Sequence, residues 1–178
     1  KGTRMSTKFK DDVSKQFGSE IIINGNAIVD KTNIIIPVSP SLDIVLNGGI
    51  PEGSFVVLTG QPKCGKTTTS LDFAATAQKK EYQGTLKSAR EVYYLNIEGR
   101  LKKRDLEGIP GLDLSRFHVI GSQQGKILHA EEYLQIAERI INEIPGSILI
   151  IDSYSALCTE AEITSDMDKM QRADGAKL

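Results

Sequence analysis

The chain reads as an α/β domain, a largely parallel sheet covered by helices on both faces, and three observations carry that reading. From Pro37 onward, short apolar runs alternate with longer amphipathic ones, as strands joined by crossover helices do. The run Ser54-Phe55-Val56-Val57-Leu58-Thr59 leads straight into a glycine-bearing loop, and a helical stretch at 68–80 leaves it. Two other apolar runs close on a carboxylate, Glu98 after Leu95-Asn96-Ile97 and Asp152 after Ile148-Leu149-Ile150-Ile151. In a parallel sheet that placement delivers acidic groups to the carboxyl edge, where ligands bind.

Taken in order, residues 1–4 precede Met5 and read as a remnant before a native start, set aside from the fold. Phe9, Val13 and Phe17 recur every four residues before Gly18, which predicts a short amphipathic helix over 6–17, too short to be stable alone. The runs Ile21-Ile22-Ile23 and Ala27-Ile28-Val29 flank Asn24-Gly25, a tight-hairpin pattern, and Ile34-Ile35-Ile36 before Pro37 adds a further strand. Residues 5–36 therefore form a small appendage that needs a surface to pack on, one that a neighbouring subunit can supply. Residues 37–178 form the main domain. Beyond the 54–59 run, strands are predicted at 91–97, 116–121 and 147–152. A helix at 129–144 carries the apolar stripe Ala130, Leu134, Ala137, Ile141 and Ile144, and Pro145-Gly146 ends it. Its Glu131, Glu132, Glu138, Arg139 and Glu143 make a solvated face.

With 178 residues, 39% hydrophobic and 25% charged, the chain can bury one good core. A net charge of −1 excludes a general basic footprint, so any contact with nucleic acid must come from local patches. Two cysteines, Cys64 and Cys158, make no disulfide framework, which points to a reducing cytoplasm. No apolar run approaches the ~20 residues that span a bilayer, so no membrane association is expected.

The loop Gly60-Gln61-Pro62-Lys63-Cys64-Gly65-Lys66-Thr67 fills every fixed position of G-x-x-x-x-G-K-[ST]. Its glycines let successive backbone N–H groups face phosphate oxygens, and the following helix adds the partial positive charge of its N-terminus. The pattern predicts a nucleoside triphosphate bound with Mg²⁺. Lys66 would reach the β- and γ-phosphates, the Thr67 hydroxyl would sit on the metal, and Thr68 would stand beside it. Asp152 at its strand end fits the second metal-side group, and Thr67 with Asp152 would leave the rest of an octahedral Mg²⁺ site to water and phosphate. Glu98, at the same carboxyl edge, can polarise an attacking water or be a surface glutamate before Gly99. His118 and His129 have no ligand-spaced partners.

The stretch Val38-Ser39-Pro40-Ser41-Leu42-Asp43-Ile44-Val45-Leu46-Asn47-Gly48-Gly49-Ile50-Pro51-Glu52-Gly53, ahead of the phosphate loop, resembles the RecA recombinase family. Leu95-Asn96-Ile97-Glu98, Ser122-Gln123 and Ile151-Asp152-Ser153 with Ala156-Leu157 follow in that family's order, so the resemblance covers about 38–163, closest in style to phage recombinases. It implies a RecA-like phosphate-loop core and an ATPase in which Glu98 and Lys66 are catalytic. It also implies ATP held by residues 60–68 with Asp152 and Ser153, and Mg²⁺ held by Thr67 and Asp152. The family further implies a homo-oligomer, a helical filament on single-stranded DNA that promotes homologous strand exchange in recombination and repair. In a DNA loop at about 160–175, Lys169, Met170 and Arg172 would touch DNA, although acidic residues outnumber cations there. The family's aromatic residue against adenine has no counterpart in Gly99-Arg100-Leu101-Lys102-Lys103-Arg104-Asp105-Leu106, and the 79–90 connection is longer than usual. The family also inserts a strand between those of Asp152 and the phosphate loop, so the natural protein is expected to continue beyond Leu178. The rival implication is a RecA-fold ATPase without strand exchange, a ring helicase or a regulatory assembly ATPase.

Overall fold

The computed structural model describes residues 2–18, 21–22, 25–26, 34–123 and 125–157. By contacts the chain divides into two units, Lys1–Asn33 and Ile34–Leu178. In the first, helix α1 spans Gly2–Phe17 and stops at Gly18, whose φ of +102° no β-carbon favours. It starts at Gly2 and not at Ser6, so Gly2, Thr3 and Arg4, set aside ahead of Met5, are helical. Nothing in Thr3-Arg4-Met5 interrupts the backbone bonding. Phe9 and Phe17 on this helix are 67% and 60% exposed. Of the predicted hairpin, Gly25 and Asn26 are helical and Ile21 lies in a 3₁₀ turn. The remaining residues of that hairpin lie outside the described residues.

In the second unit, β1 (Ile35–Ile36) pairs antiparallel with β2 (Ile50–Pro51), bracketing α2 (Pro40–Val45). Asp43 Oδ1 accepts the Val38 N–H at 2.8 Å, closing the turn into α2. At Gly49 a β-carbon would stand 2.2 Å from the Ile36 carbonyl oxygen, so only glycine lets the two strands approach.

The centre is a three-stranded parallel sheet in the order β4-β3-β5, formed by β3 (Val92–Asn96), β4 (Phe117–Ile120) and β5 (Ile148–Asp152). Strand β3 sits in the middle and is covered on both sides. Its Val92 and Tyr94 join Leu71, Ala74 and Ala75 of α3 (Lys66–Ala77) in one buried cluster with Ile109 and Phe117. Leu95, on the opposite pleat, packs with Tyr133 and Ala137 of α5 (Ala130–Glu143). A short helix, α4 (Lys103–Glu107), lies between β3 and β4. The α/β class with helices on both faces is therefore what the chain adopts.

Two expectations are corrected. Helix α5 buries Ala130, Tyr133, Ala137 and Ile140, while Leu134 and Ile141 are 46% and 66% exposed. The helix has apolar residues around more than one face, and the side that meets the sheet is decided by Tyr133, whose hydroxyl accepts the Ser122 N–H at 3.1 Å. The run at 54–59 is not a buried strand: it has no ladder, and Phe55 and Val57 are 91% and 66% exposed. A strand exists only as half of a pair, and among the described residues this run finds a partner in neither sheet.

Candidate functional site

Helix α3 begins at Lys66, with Gly65 as its N-cap at φ +93°, a left-handed conformation that glycine adopts without strain. The loop ahead of it is open to solvent from Gly60 to Cys64, so its backbone N–H groups and the helix N-terminus are accessible to an anion. The Lys66 ammonium folds back over this loop and donates to the Gly60 and Gln61 carbonyl oxygens, both at 2.9 Å, with Cys64 Sγ 3.8 Å away. Pro62 and Lys63 form the exposed tip, Lys63 at φ +64°.

The parallel register places Asn96 opposite Asp152, so β3 and β5 end at one edge. The Asp152 carbonyl accepts the N–H groups of Ile97 and Glu98 at 3.0 and 3.4 Å, drawing the chain after β3 toward β5. The Thr67 hydroxyl donates to Asp152 Oδ2 at 2.9 Å, joining the start of α3 to the end of β5 across 85 residues of sequence. Tyr94, buried on β3, donates its hydroxyl to the same oxygen. Burial first, and then the Asp152 carboxylate, push the Tyr94 phenol well up, so it remains a proton donor. Glu98 is held on both oxygens: Ser153 Oγ donates to Oε1 at 2.6 Å, and Arg100 Nη1 pairs with Oε2 at 2.9 Å. Ser153 Oγ in turn lies 3.0 Å from Ser155 Oγ.

A cavity of about 150 Å³ opens among these groups, lined by Thr67, Thr68, Tyr94, Arg100, Asp105 and Asp152. Thr68 also borders a second hollow of about 280 Å³, against Val38, Leu42, Asp72, Ile109 and Pro110. Thr67 and Asp152 are hard oxygen donors already within hydrogen-bond distance of each other. Among the described residues no group of three or more His, Cys, Asp or Glu converges. Two protein oxygens with the remaining positions left to phosphate and water suit Mg²⁺, which keeps much of its hydration.

Thr67, Asp152, Ser153 and Glu98 thus meet at the carboxyl edge, with Thr68 beside them, while Lys66 is turned back onto the Gly60 and Gln61 carbonyls of its own loop. Lys169, Met170 and Arg172 lie outside the described residues. In the basic turn, Lys103 pairs with Glu107 at 3.3 Å and Arg104 with Asp105 at 3.8 Å on the surface of α4, whereas Arg100 reaches Glu98. The long 79–90 connection has a structural part. It forms a 3₁₀ turn at Lys80–Tyr82 and ends in Arg90, which is buried. The Arg90 guanidinium donates to the Tyr82 carbonyl through Nε and Nη2, at 3.0 and 2.7 Å. Its Nη1 donates to the Gly146 carbonyl at 2.8 Å and to Glu52 Oε1 at 2.7 Å. Sequence reasoning did not single out Tyr94 or Arg90. The signal for Tyr94 was a hydroxyl in a strand otherwise facing apolar residues; for Arg90 there was no local one.

A family model described as the RecA N-terminal domain matches residues 5–178. Among curated relatives, Protein RecA of Porphyromonas gingivalis is 29% identical over 166 residues, 92% of this chain and 44% of the relative. Protein RecA of Acholeplasma laidlawii is 34% identical over 157 residues, 87% and 43% of the two chains. Protein RecA of Aquifex pyrophilus is 28% identical over 168 residues, 93% and 44%. The chain spans less than half the length of these relatives.

Proposed function

Because the chain belongs to the RecA N-terminal domain family, we propose that it is the ATP-hydrolysing core of a DNA recombinase, a cytoplasmic protein that assembles as a helical filament on single-stranded DNA and promotes homologous strand exchange. The convergence of Thr67 with Asp152 and of Glu98 with Ser153 carries the ATPase part of this reading. These contacts bring residues 85 and 55 positions apart to one carboxyl edge beside the phosphate loop.

In this reading the loop 60–67 wraps the phosphates with its N–H groups. Lys66 exchanges the Gly60 and Gln61 carbonyls for phosphate oxygens, replacing neutral acceptors with charged ones. Thr67 and Asp152 would hold Mg²⁺, which when bound would neutralise charge on the β- and γ-phosphate oxygens. Glu98 orients a water toward the γ-phosphorus and accepts its proton as the bond to the β-phosphate oxygen breaks, giving ADP and phosphate. Arg100 neutralises Glu98 while no water is being activated. ATP favours the DNA-gripping state and hydrolysis releases it. Lys169, Met170 and Arg172 belong to the DNA-contacting loop, and the exposed apolar residues of α1 dock on the next subunit.

The test is Lys66→Ala in the natural protein. ATP affinity should fall and turnover should nearly vanish, while wild-type hydrolysis should rise with single-stranded DNA at one stated salt concentration. Wild-type ATP affinity in Lys66→Ala removes the lysine from the site. Normal turnover with no response to DNA moves the reading to a RecA-fold ATPase without strand exchange.

A further inference from the structure

The buried cluster between β3 and α3 is apolar except for one group. Leu71, Ala74, Ala75, Val92 and Phe117 surround Tyr94, which is 1% exposed and packs its ring on Phe117 at a centroid distance of 5.9 Å. Phenylalanine would fill that space as well, so packing does not account for the hydroxyl. A buried hydroxyl is tolerated only with a partner, and this one is bonded to Asp152 Oδ2. The geometry points to Tyr94 as a positioning residue that holds the Asp152 carboxylate in place for a divalent cation bound with nucleotide, an inference that rests on the function proposed above.

Two features make the hydroxyl matter. Oδ2 accepts both the Tyr94 and the Thr67 hydroxyls, and Thr67 is itself the other proposed metal ligand. Once Thr67 is engaged elsewhere, Tyr94 remains on the carboxylate. Its ring is buried against α3 and Phe117 on a strand held between β4 and β5, so its oxygen has little freedom to follow a moving Asp152. A carboxylate oriented in advance by a fixed outer donor binds metal more tightly than one that must be ordered on binding. Thr67, Tyr94 and Asp152 also line the same cavity, which puts this hydrogen bond at its wall and not deep in the core.

The experiment is Tyr94→Phe in the natural protein, with Mn²⁺ as the probe. Free Mn²⁺ is read by electron paramagnetic resonance during titration into protein saturated with a non-hydrolysable ATP analogue. The affinity for Mn²⁺ should fall about 10–100-fold, the range for removing such an outer partner. The affinity for ADP in the presence of a chelator should stay at the wild-type value, and saturating Mg²⁺ should restore most of kcat. Unchanged Mn²⁺ affinity overturns the inference. A parallel loss of chelator-resistant ADP affinity also overturns it, since that would mean the hydroxyl supports the fold of the whole site. Absence of nucleotide-dependent Mn²⁺ binding in the wild type would sink the inference together with the ATPase reading. Its survival there with an unaffected Tyr94→Phe sinks the Tyr94 inference alone.

Discussion

Replacing Glu98 with glutamine separates chemistry from architecture at the carboxyl edge. The amide keeps a carbonyl oxygen that can accept the Ser153 hydroxyl, now donated to Oε1 at 2.6 Å. It loses the charge that pairs with Arg100 at 2.9 Å, but that arginine side chain is 83% exposed. A pair open to solvent on its arginine side, with Glu98 26% exposed, contributes about 1 kcal/mol, so Tm should fall by about 2–4 °C for a domain of this size. Turnover should respond far more. Glutamine cannot accept the proton of the attacking water, a defect of about 10²–10⁴, or roughly 2.7–5.4 kcal/mol of transition-state stabilisation. The ratio of these two effects is the diagnostic quantity. In the natural protein, steady-state hydrolysis, ATP affinity by titration and a thermal melt should show turnover lost with affinity and Tm nearly preserved. Dissociation from single-stranded DNA, followed at one salt concentration, should slow, because release waits on hydrolysis. Normal turnover would end the general-base assignment. Turnover lost together with ATP affinity would mean that the Glu98–Ser153 contact organises the site and does no proton transfer.

Arg90→Met should destabilise the core without touching the candidate site. The methionine follows the buried stem but strips donors from the Tyr82 and Gly146 carbonyls. At about 1–3 kcal/mol per deprived carbonyl, with both only partly buried, the loss is about 2–4 kcal/mol, or roughly 5–15 °C in Tm; an unchanged melt would refute the clamp. Deleting α1 should leave ATP binding intact and abolish polymerisation followed by light scattering, because Phe9 and Phe17 present apolar surface with no cover in their own helix. Unchanged assembly after the deletion would assign that stripe to packing within the chain.

What the sequence determined by itself was whatever depends on neighbours in the chain. The loop 60–67 was legible because the spacing of Gly60, Gly65, Lys66 and Thr67 is set by one turn and one helix start. Strands 92–96, 117–120 and 148–152 were legible to within a residue because burial in a covered parallel sheet writes a continuous apolar run. Glu98 and Asp152 could be placed at strand ends for the same reason. The contacts that hold those two carboxylates could not, because Ser153 reaches Glu98 and Tyr94 reaches Asp152 across 55 and 58 residues. Which face of α5 is buried depended on where the sheet lay, since Leu134 and Tyr133 both suit a core. Arg90 carried no local signal, because the Tyr82 and Gly146 carbonyls that make its burial tolerable are brought to it only by the fold. The run 54–59 has every local mark of a strand and is not one, because a ladder needs a second backbone that no property of the run itself supplies. Local periodicity decides which segments want to be buried; only the tertiary structure decides against what, and it is there that hydroxyls, carboxylates and guanidinium groups distant in sequence find the partners that make burial tolerable.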